Sequence, residues 1–327
     1  RDDVDGIKVL RVWSYMARNE GFVRRSLDYL SFAFMSFWAG LFRRTDVIVA
    51  TSPQFFTTFA AFGIALFRRK PWIFELRDIW PESIAAVGAM KKGRLYSMLE
   101  HIELFLYRRA RNVLAVTEAF KENLAGRGID PGKIEVVPNG VDLNFFKAQP
   151  KHDGLLDELG LRGKFVVGYI GTLGMAHGLD SILSAAAEIT DPRVHFLFVG
   201  DGAERTHLEK AAKEKSLSNV TFVDAVPTSE LRDYLSIIDV ALVPLRRSDT
   251  FKSVLPSKIF ENCAMGKPIL VGVDGQAREL IERYGAGLYF EPENEAEFMD
   301  RLTTIANDKK TYDRCVNGCR ELSAAYD

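Results

Sequence analysis

The chain has 327 residues, 47% of them hydrophobic and 27% charged, with a formal net charge of −1. That is about two domains of ordinary globular material, which excludes a disordered, collagenous or disulfide-stapled chain. The balance hides an asymmetry: residues 1–150 carry 22 Lys and Arg against 16 Asp and Glu, so this half is basic and the remainder acidic. A basic half points to an anionic partner or surface, yet no nucleic-acid motif accompanies it. The three cysteines, Cys263, Cys315 and Cys319, fit a reducing compartment. Without a His or further Cys at metal-ligand spacing they read as plain thiols.

The chain opens on Arg1-Asp-Asp-Val-Asp5 with no initiator Met and no visible signal peptide. A fragment lacking its true amino terminus is therefore expected. Strand-like runs then alternate with helix-like ones, the pattern of α/β domains with parallel sheets. In the first half, strands are predicted at residues 7–13, 46–51, 72–76, 112–117 and 134–137. Residues 29–42 carry no charge and lie between Arg24-Arg25 and Arg43-Arg44. Residues 55–67 are similarly apolar and end in Arg68-Arg69-Lys70. Both segments are too short to cross a membrane. The second reads as a core helix; for the first, burial and partial insertion at a membrane face stay open. Leu95, Met98, Leu99, Ile102, Phe105 and Leu106 recur at helical spacing, which predicts a core-facing stripe. Breakers and charges at residues 143–163 place a domain boundary there, dividing 1–145 from 146–327. Strands follow at 165–170, 194–199, 220–223, 240–245, 268–273 and 287–290, a complete doubly wound unit. The first half lacks the opening strand and Gly-rich turn with which such domains begin.

Chemistry-bearing residues gather at predicted strand ends. After the strand at 72–76, Arg77, Asp78, Trp80 and Glu82 combine a cation, carboxylates and an aromatic ring. Such sets grip sugars, and a carboxylate there can orient or deprotonate a hydroxyl; an internal Arg–Asp pair capping a loop is the competing reading. After residues 165–170 comes a loop with Gly171, Thr172, Gly174, His177 and Gly178. Its glycine spacing is not a dinucleotide fingerprint, but it lets backbone approach a ligand ahead of a helix N-terminus. Gly200 in the run Val199-Gly-Asp-Gly202, and Val226 after Asp224, sit where backbone atoms could hold a nucleobase, with turn chemistry as the default. The richest block is Leu245-Arg-Arg-Ser-Asp-Thr-Phe-Lys-Ser-Val-Leu-Pro-Ser-Lys-Ile-Phe-Glu261. Lys258 and Glu261, three apart, share one helical face; a carboxylate can take both ribose hydroxyls, while a Lys and a helix N-terminus can hold a diphosphate. The alternative is a surface ion pair. No His pair at metal spacing and no nucleophile elbow is present, which argues against metallohydrolase and serine-hydrolase chemistry.

Together these motifs resemble glycosyltransferase family 4, the retaining GT-B enzymes, over essentially the whole chain. Residues 77–83, 171–179 and 256–261 are similar to the bacterial polysaccharide branch that includes the L-fucosamine (FucNAc) transferases of O-antigen and capsule assembly. Residues 116–120 and 137–142 resemble the family's interdomain-side motifs. The resemblance implies a GT-B fold: two Rossmann-like doubly wound parallel-sheet domains facing a cleft, the first truncated. It implies an N-terminal acceptor domain and a C-terminal domain holding a nucleotide-sugar, UDP-linked, with Glu261 on the ribose and Lys252, Ser257 and Lys258 around the diphosphate. Asp78 would stand near the attacking hydroxyl of a lipid-diphosphate-linked saccharide, on the cytoplasmic face of the inner membrane. The reaction would be retaining and free of metal or other cofactor. Two departures stand out. The family's first signature Glu falls on Ser253, and the Arg and Lys that many members place after the Gly loop are replaced by His177-Gly178. An NDP-sugar 2-epimerase on the same scaffold, and a non-catalytic membrane-associated binding module, remain alternatives.

Overall fold

A computed structural model describes residues 2–4, 6–16, 22–52, 55–86, 88, 90–91 and 93–327, apart from the side chains of Phe22, Val23 and Arg25. The chain divides into two compact units, Arg1–Pro138 and Asn139–Asp327. Residues 139–145, assigned to the first half by composition, instead make their contacts in the second unit. The Val141 N–H donates to the Tyr326 carbonyl (2.9 Å), and the Arg232 guanidinium lies 4.5 Å over the Phe145 ring.

In the first unit, β1 (Asp2–Val4) and β2 (Ile7–Val9) form a separate antiparallel hairpin. This corrects the expected parallel strand at 7–13. The Gly6 turn, at φ +81° with its N–H on Asp3 Oδ1, closes a local pairing, and Ile7 stays 69% exposed. The main sheet runs in sequence order and is parallel throughout: β3 (Ile48–Thr51), β4 (Trp72–Leu76), β5 (Asn112–Ala115) and β6 (Ile134–Val136). Phe74, Leu76, Val113 and Ala115 are fully buried, as strands covered on both faces require.

The helix Phe55–Arg68 buries Phe55, Thr58, Ala60, Ala61, Ile64 and Ala65, in line with a core helix. The helix Phe22–Leu41 packs against it at two glycines: a Cβ on Gly40 would strike Ile64, and one on Gly63 would strike Phe37. Its other side leaves Leu27, Leu30, Phe34 and Trp38 exposed, with Phe42 just beyond. Full burial is thus excluded for this segment. The stripe expected on the helix Arg94–Arg109 also needs correction, because Leu95, Met98 and Phe105 are exposed while Glu103, Leu106 and Tyr107 are buried. Tyr107 against Phe74 (4.7 Å) and Glu103 on Arg127 (2.8 Å) orient the helix one residue round from the apolar stripe.

The second unit is a six-stranded parallel sheet of β7 (Phe165–Ile170), β8 (Val194–Val199), β9 (Val220–Val223), β10 (Val240–Pro244), β11 (Ile269–Gly272) and β12 (Gly287–Tyr289). Their order is β12-β11-β10-β7-β8-β9. Its core joins strand residues Val167, Tyr169, Phe196 and Phe198 to Leu183, Phe298 and Leu302 of covering helices. The strand order reverses between β7 and β10. All three cysteines are buried free thiols. Among the described residues, no helix is long and apolar enough to cross a membrane.

Candidate functional site

Open parallel sheets bind ligands beyond their carboxyl ends where the strand order reverses, which here means the loops after β7 and β10. Gly171 (φ +140°) and Gly200 (φ +145°) bring the loops after β7 and β8 into contact. A Cβ on Gly200 would lie 2.0 Å from the Gly171 carbonyl oxygen, so only glycine permits this approach. From the other side the Lys258 ammonium reaches the same loop, 3.0 Å from where a Gly171 Cβ would stand.

Lys258 lies in the helix Lys258–Ala264 and does not form the surface ion pair with Glu261 that was the alternative reading. Its Nζ is shut off from solvent, makes no hydrogen bond, and sits 3.9 Å from the centroid of the Tyr169 ring. Burial pushes its pKa down to about 8, against the pull of nearby Glu261. Burial also raises the Glu261 carboxyl, with Lys258 opposing. His177 meets the Tyr169 ring edge-on at 5.6 Å. Burial, and then the neighbouring ammonium, push the imidazole down to about 3 while the Pro244 carbonyl opposes, so His177 is neutral at physiological pH. The Tyr169 hydroxyl donates to the Thr172 carbonyl (2.6 Å), tying the ring to the Gly loop. Sequence reasoning passed over Tyr169; its only signal is a phenol within an otherwise apolar buried strand, two residues before Gly171.

In the first unit, Arg77 and Asp78 follow β4 directly. Ser52, buried at the end of β3, pins them: its hydroxyl accepts from the Arg77 N–H (3.1 Å) and donates to the Asp78 carbonyl (3.5 Å). Arg77 lies 3.6 Å from Glu75, so the ion pair at this loop is Arg77–Glu75 rather than Arg77–Asp78. Burial lifts the Asp78 carboxyl to about 6, with Ser83 and the Ile79 backbone opposing and the Glu82 charge adding. Trp80 stacks on Phe55 at 4.4 Å, which gives its ring a packing role. Glu82 begins the short helix Glu82–Ala86 beside this loop.

Residues 157–322 match the glycosyl transferases group 1 family, and residues 1–140 match the glycosyl transferase 4-like domain. The chain belongs to the group 1 glycosyl transferases. Relatives include the probable glycosyltransferase WbjE of Pseudomonas aeruginosa, 27% identical over 75% of this chain and 62% of the relative. Another is the putative colanic acid biosynthesis glycosyl transferase WcaI of Escherichia coli K12, 24% identical over 86% of this chain and 72% of the relative. The chain thus spans about three fifths of the length of WbjE. Among solved structures, Anabaena HepE in complex with UDP-glucose superposes with a TM-score of 0.77 at 20% identity, covering 91% of this chain and 78% of that one. Sucrose-phosphate synthase of Thermosynechococcus elongatus gives 0.71 at 19% identity, covering 90% and 73%. These likenesses show the fold: α/β, with Rossmann-like units of the GT-B class.

Within this glycosyl transferase the other anticipated residues are dispersed. The ammonium that stands against the Gly171 loop is that of Lys258, arriving from the helix after β10. Lys252 instead pairs with Asp249 (2.8 Å) and Asp274 (3.9 Å), lining a cavity of about 270 Å³ with Arg246, Arg247 and Glu291. Ser257 is exposed and caps nothing, and the helix it precedes has seven residues, under two turns, so little dipole is aimed at an anion. Ser253 donates to the Thr250 carbonyl (2.9 Å). Val226 is half-buried beyond β9, in the loop after Asp224. Arg205, unnoticed in the sequence, binds the Gly200 and Val223 carbonyls (2.5 and 2.9 Å) and Asp224 (2.9 Å), holding the ends of β8 and β9 together. One group of potential metal ligands occurs among the described residues, Asp180, Glu204 and His207, within 4.8 Å of one another. There the His207 ring already bonds Asp180 (2.9 Å).

Proposed function

We propose that this protein transfers a sugar, with retention, from a UDP-linked donor to a lipid-diphosphate-linked or saccharide acceptor in bacterial cell-surface polysaccharide synthesis. The observation that carries the reading is the buried Lys258 ammonium, without a hydrogen-bond partner, against the Gly171 loop at the reversal of the second sheet. A charge so placed suits the diphosphate of a donor, where stabilising the departing negative charge is the main catalytic task. HepE, which shares the fold, binds UDP-glucose, and WbjE and WcaI bear names from glycosyl transfer and colanic acid synthesis.

In this reading Glu261 takes the ribose hydroxyls, while Gly171, Thr172, Gly200 and Val226 offer backbone around the nucleotide. His177, neutral and buried, shapes the pocket rather than adding charge. Asp78 receives or orients the acceptor hydroxyl, flanked by Arg77 and Glu82. The motifs at 77–83 and 256–261 favour a FucNAc-type donor sugar. The diphosphate is neutralised by protein cations, so no metal ion takes part. The protein works at the cytoplasmic face of an anionic inner membrane.

Transfer of labelled sugar from UDP-linked donors to a lipid-diphosphate acceptor, followed with and without EDTA, tests the reading. Transfer is expected to survive chelation. Glu261→Ala should weaken UDP binding by about 1.5–3 kcal/mol in calorimetry, the range for a hydrogen bond to a charged group. Unchanged UDP affinity in the folded variant removes Glu261 from the donor site, and loss of turnover on chelation overturns the metal-free mechanism.

A further inference from the structure

Resting on the donor-site reading, we propose that Tyr169 is a positioning residue. Its ring holds the Lys258 ammonium unpaired behind the Gly171 loop, so that a nucleoside diphosphate binds with uptake of a proton by Lys258.

An ammonium carries three N–H donors, and a buried one normally spends them on carboxylates or carbonyls. Lys258 spends none, and the attraction it does find is the face of an aromatic ring at 3.9 Å. The ring is itself fixed, buried in β7 with its hydroxyl on the Thr172 carbonyl. Gly171 leaves the ammonium a path: with a side chain there, a Cβ would stand 3.0 Å from Nζ.

The groups acting on Lys258 are few. Glu261 on its own helix favours the charged form through space. His177 stays neutral beside it, so the pocket contains no second cation at that position. β10 and β11, packed on the same helix, carry only apolar residues and glycine, so they contribute no charge. On the helix Lys309–Ala325, which also packs there, Cys319 faces the Lys267 and Ala286 carbonyls and is a neutral thiol, and Tyr326, just past its end, lies against Phe260. Burial therefore dominates, and the unliganded ammonium loses its proton near pH 8. A diphosphate beside Nζ supplies the missing partner and raises the proton affinity. Below about pH 8 the lysine is already charged, and binding takes up little. Above it, each nucleotide bound draws in a proton, until the raised value of the complex is passed. The terminal phosphate of UDP adds no proton change of its own there, being ionised below pH 8, and any proton that the base N–H takes up on binding is common to the wild type and Lys258→Arg.

Calorimetric titration of the full chain with UDP and with GDP, in two buffers of different ionisation enthalpy at pH 7 and pH 9, measures the uptake directly. The expected result is little uptake at pH 7 and close to one proton per nucleotide at pH 9. Lys258→Arg, always charged, should take up about one proton fewer than the wild type at pH 9 and the same small amount at pH 7. Tyr169→Phe keeps the ring face and should keep both affinity and uptake. Tyr169→Leu should bind on the order of tenfold more weakly at pH 7, the scale of a desolvated cation–π contact. Because Tyr169 is buried, a Leu variant that fails to fold leaves the test with Lys258→Arg and Tyr169→Phe. Nucleotide binding without uptake at pH 9, or the same uptake in Lys258→Arg, overturns this proposal while leaving the donor site standing. Binding of neither nucleotide overturns the donor reading itself.

Discussion

Asp78 and Lys258 have proton affinities displaced in opposite directions by the same cause. Burial raises the carboxyl to about 6 and lowers the ammonium to about 8. If Asp78 takes up the acceptor proton it must be ionised, and if Lys258 meets the diphosphate it must be charged. kcat/KM should then rise with pH to about 6, hold level, and fall above about 8, reporting both groups in the unliganded enzyme. Asp78→Asn should abolish the acid limb and lower the rate by about 10²–10⁴-fold, the usual contribution of a positioned base. A wild-type profile that is flat from pH 5 to 7 removes Asp78 from proton transfer.

At the level of elements, the first unit contains a buried polar contact that its apolar pattern does not announce. Glu103 is completely buried on the helix Arg94–Arg109, accepts from the Tyr107 hydroxyl (2.5 Å), and meets Arg127 at 2.8 Å, beyond the helix Glu118–Gly126. Glu103→Ala leaves Arg127 largely buried without its main partner, so unfolding stability should drop by about 3–5 kcal/mol in denaturant titrations. A loss below about 1 kcal/mol would show that water replaces the carboxylate freely. The pair also carries a pH signature. Burial outweighs the Arg127 attraction and lifts the Glu103 carboxyl to about 7, so the folded state holds this proton more tightly than the unfolded chain does. The resulting stability is complete below the ordinary value of 4.5 and is lost as pH rises through about 7. Thermal midpoints between pH 5 and 7.5 should decline less in Glu103→Gln than in the wild type.

For the molecule as a whole, the open question is what meets the basic first half. The helix Phe22–Leu41 shows solvent a stripe of Leu27, Leu30, Phe34 and Trp38, continued by Phe42, with exposed Arg24 before it and Arg43 and Arg44 after it. Apolar residues bracketed by arginines suit an anionic bilayer surface, each basic residue contributing about 1 kcal/mol there. Binding to vesicles should therefore need anionic lipid, fall with salt, and weaken when Arg24, Arg25, Arg43 and Arg44 become Ser. The Arg25 side chain lies outside the described residues, so its part rests on sequence alone. Equal co-sedimentation with neutral and anionic vesicles, or none with either, would count against the surface.

The sequence by itself determined the alternation of strands and helices, the parallel sheets, and the segments beyond strand ends that hold Asp78, Gly171 and Lys258. Those features follow from local hydrophobic runs and breakers, which need no tertiary partner to be read. Where a side chain has two or more possible neighbours, local pattern lost its authority. Spacing along one helix set Lys258 and Glu261 on one face, but a long flexible stem can turn inward, and the ring of Tyr169, 89 residues away in the chain, was the better-placed surface. Lys252 was drawn to Asp249 and Asp274 instead of the Gly loop. The Leu95–Leu106 stripe gave way because burying Glu103 beside Arg127 and Tyr107 on Phe74 set the rotation of its helix. In the same way, pairing across Gly6 turned a predicted core strand into an exposed hairpin. Periodicity records which residues can be buried together, whereas the partner each one finds depends on chain segments that only the fold brings within reach.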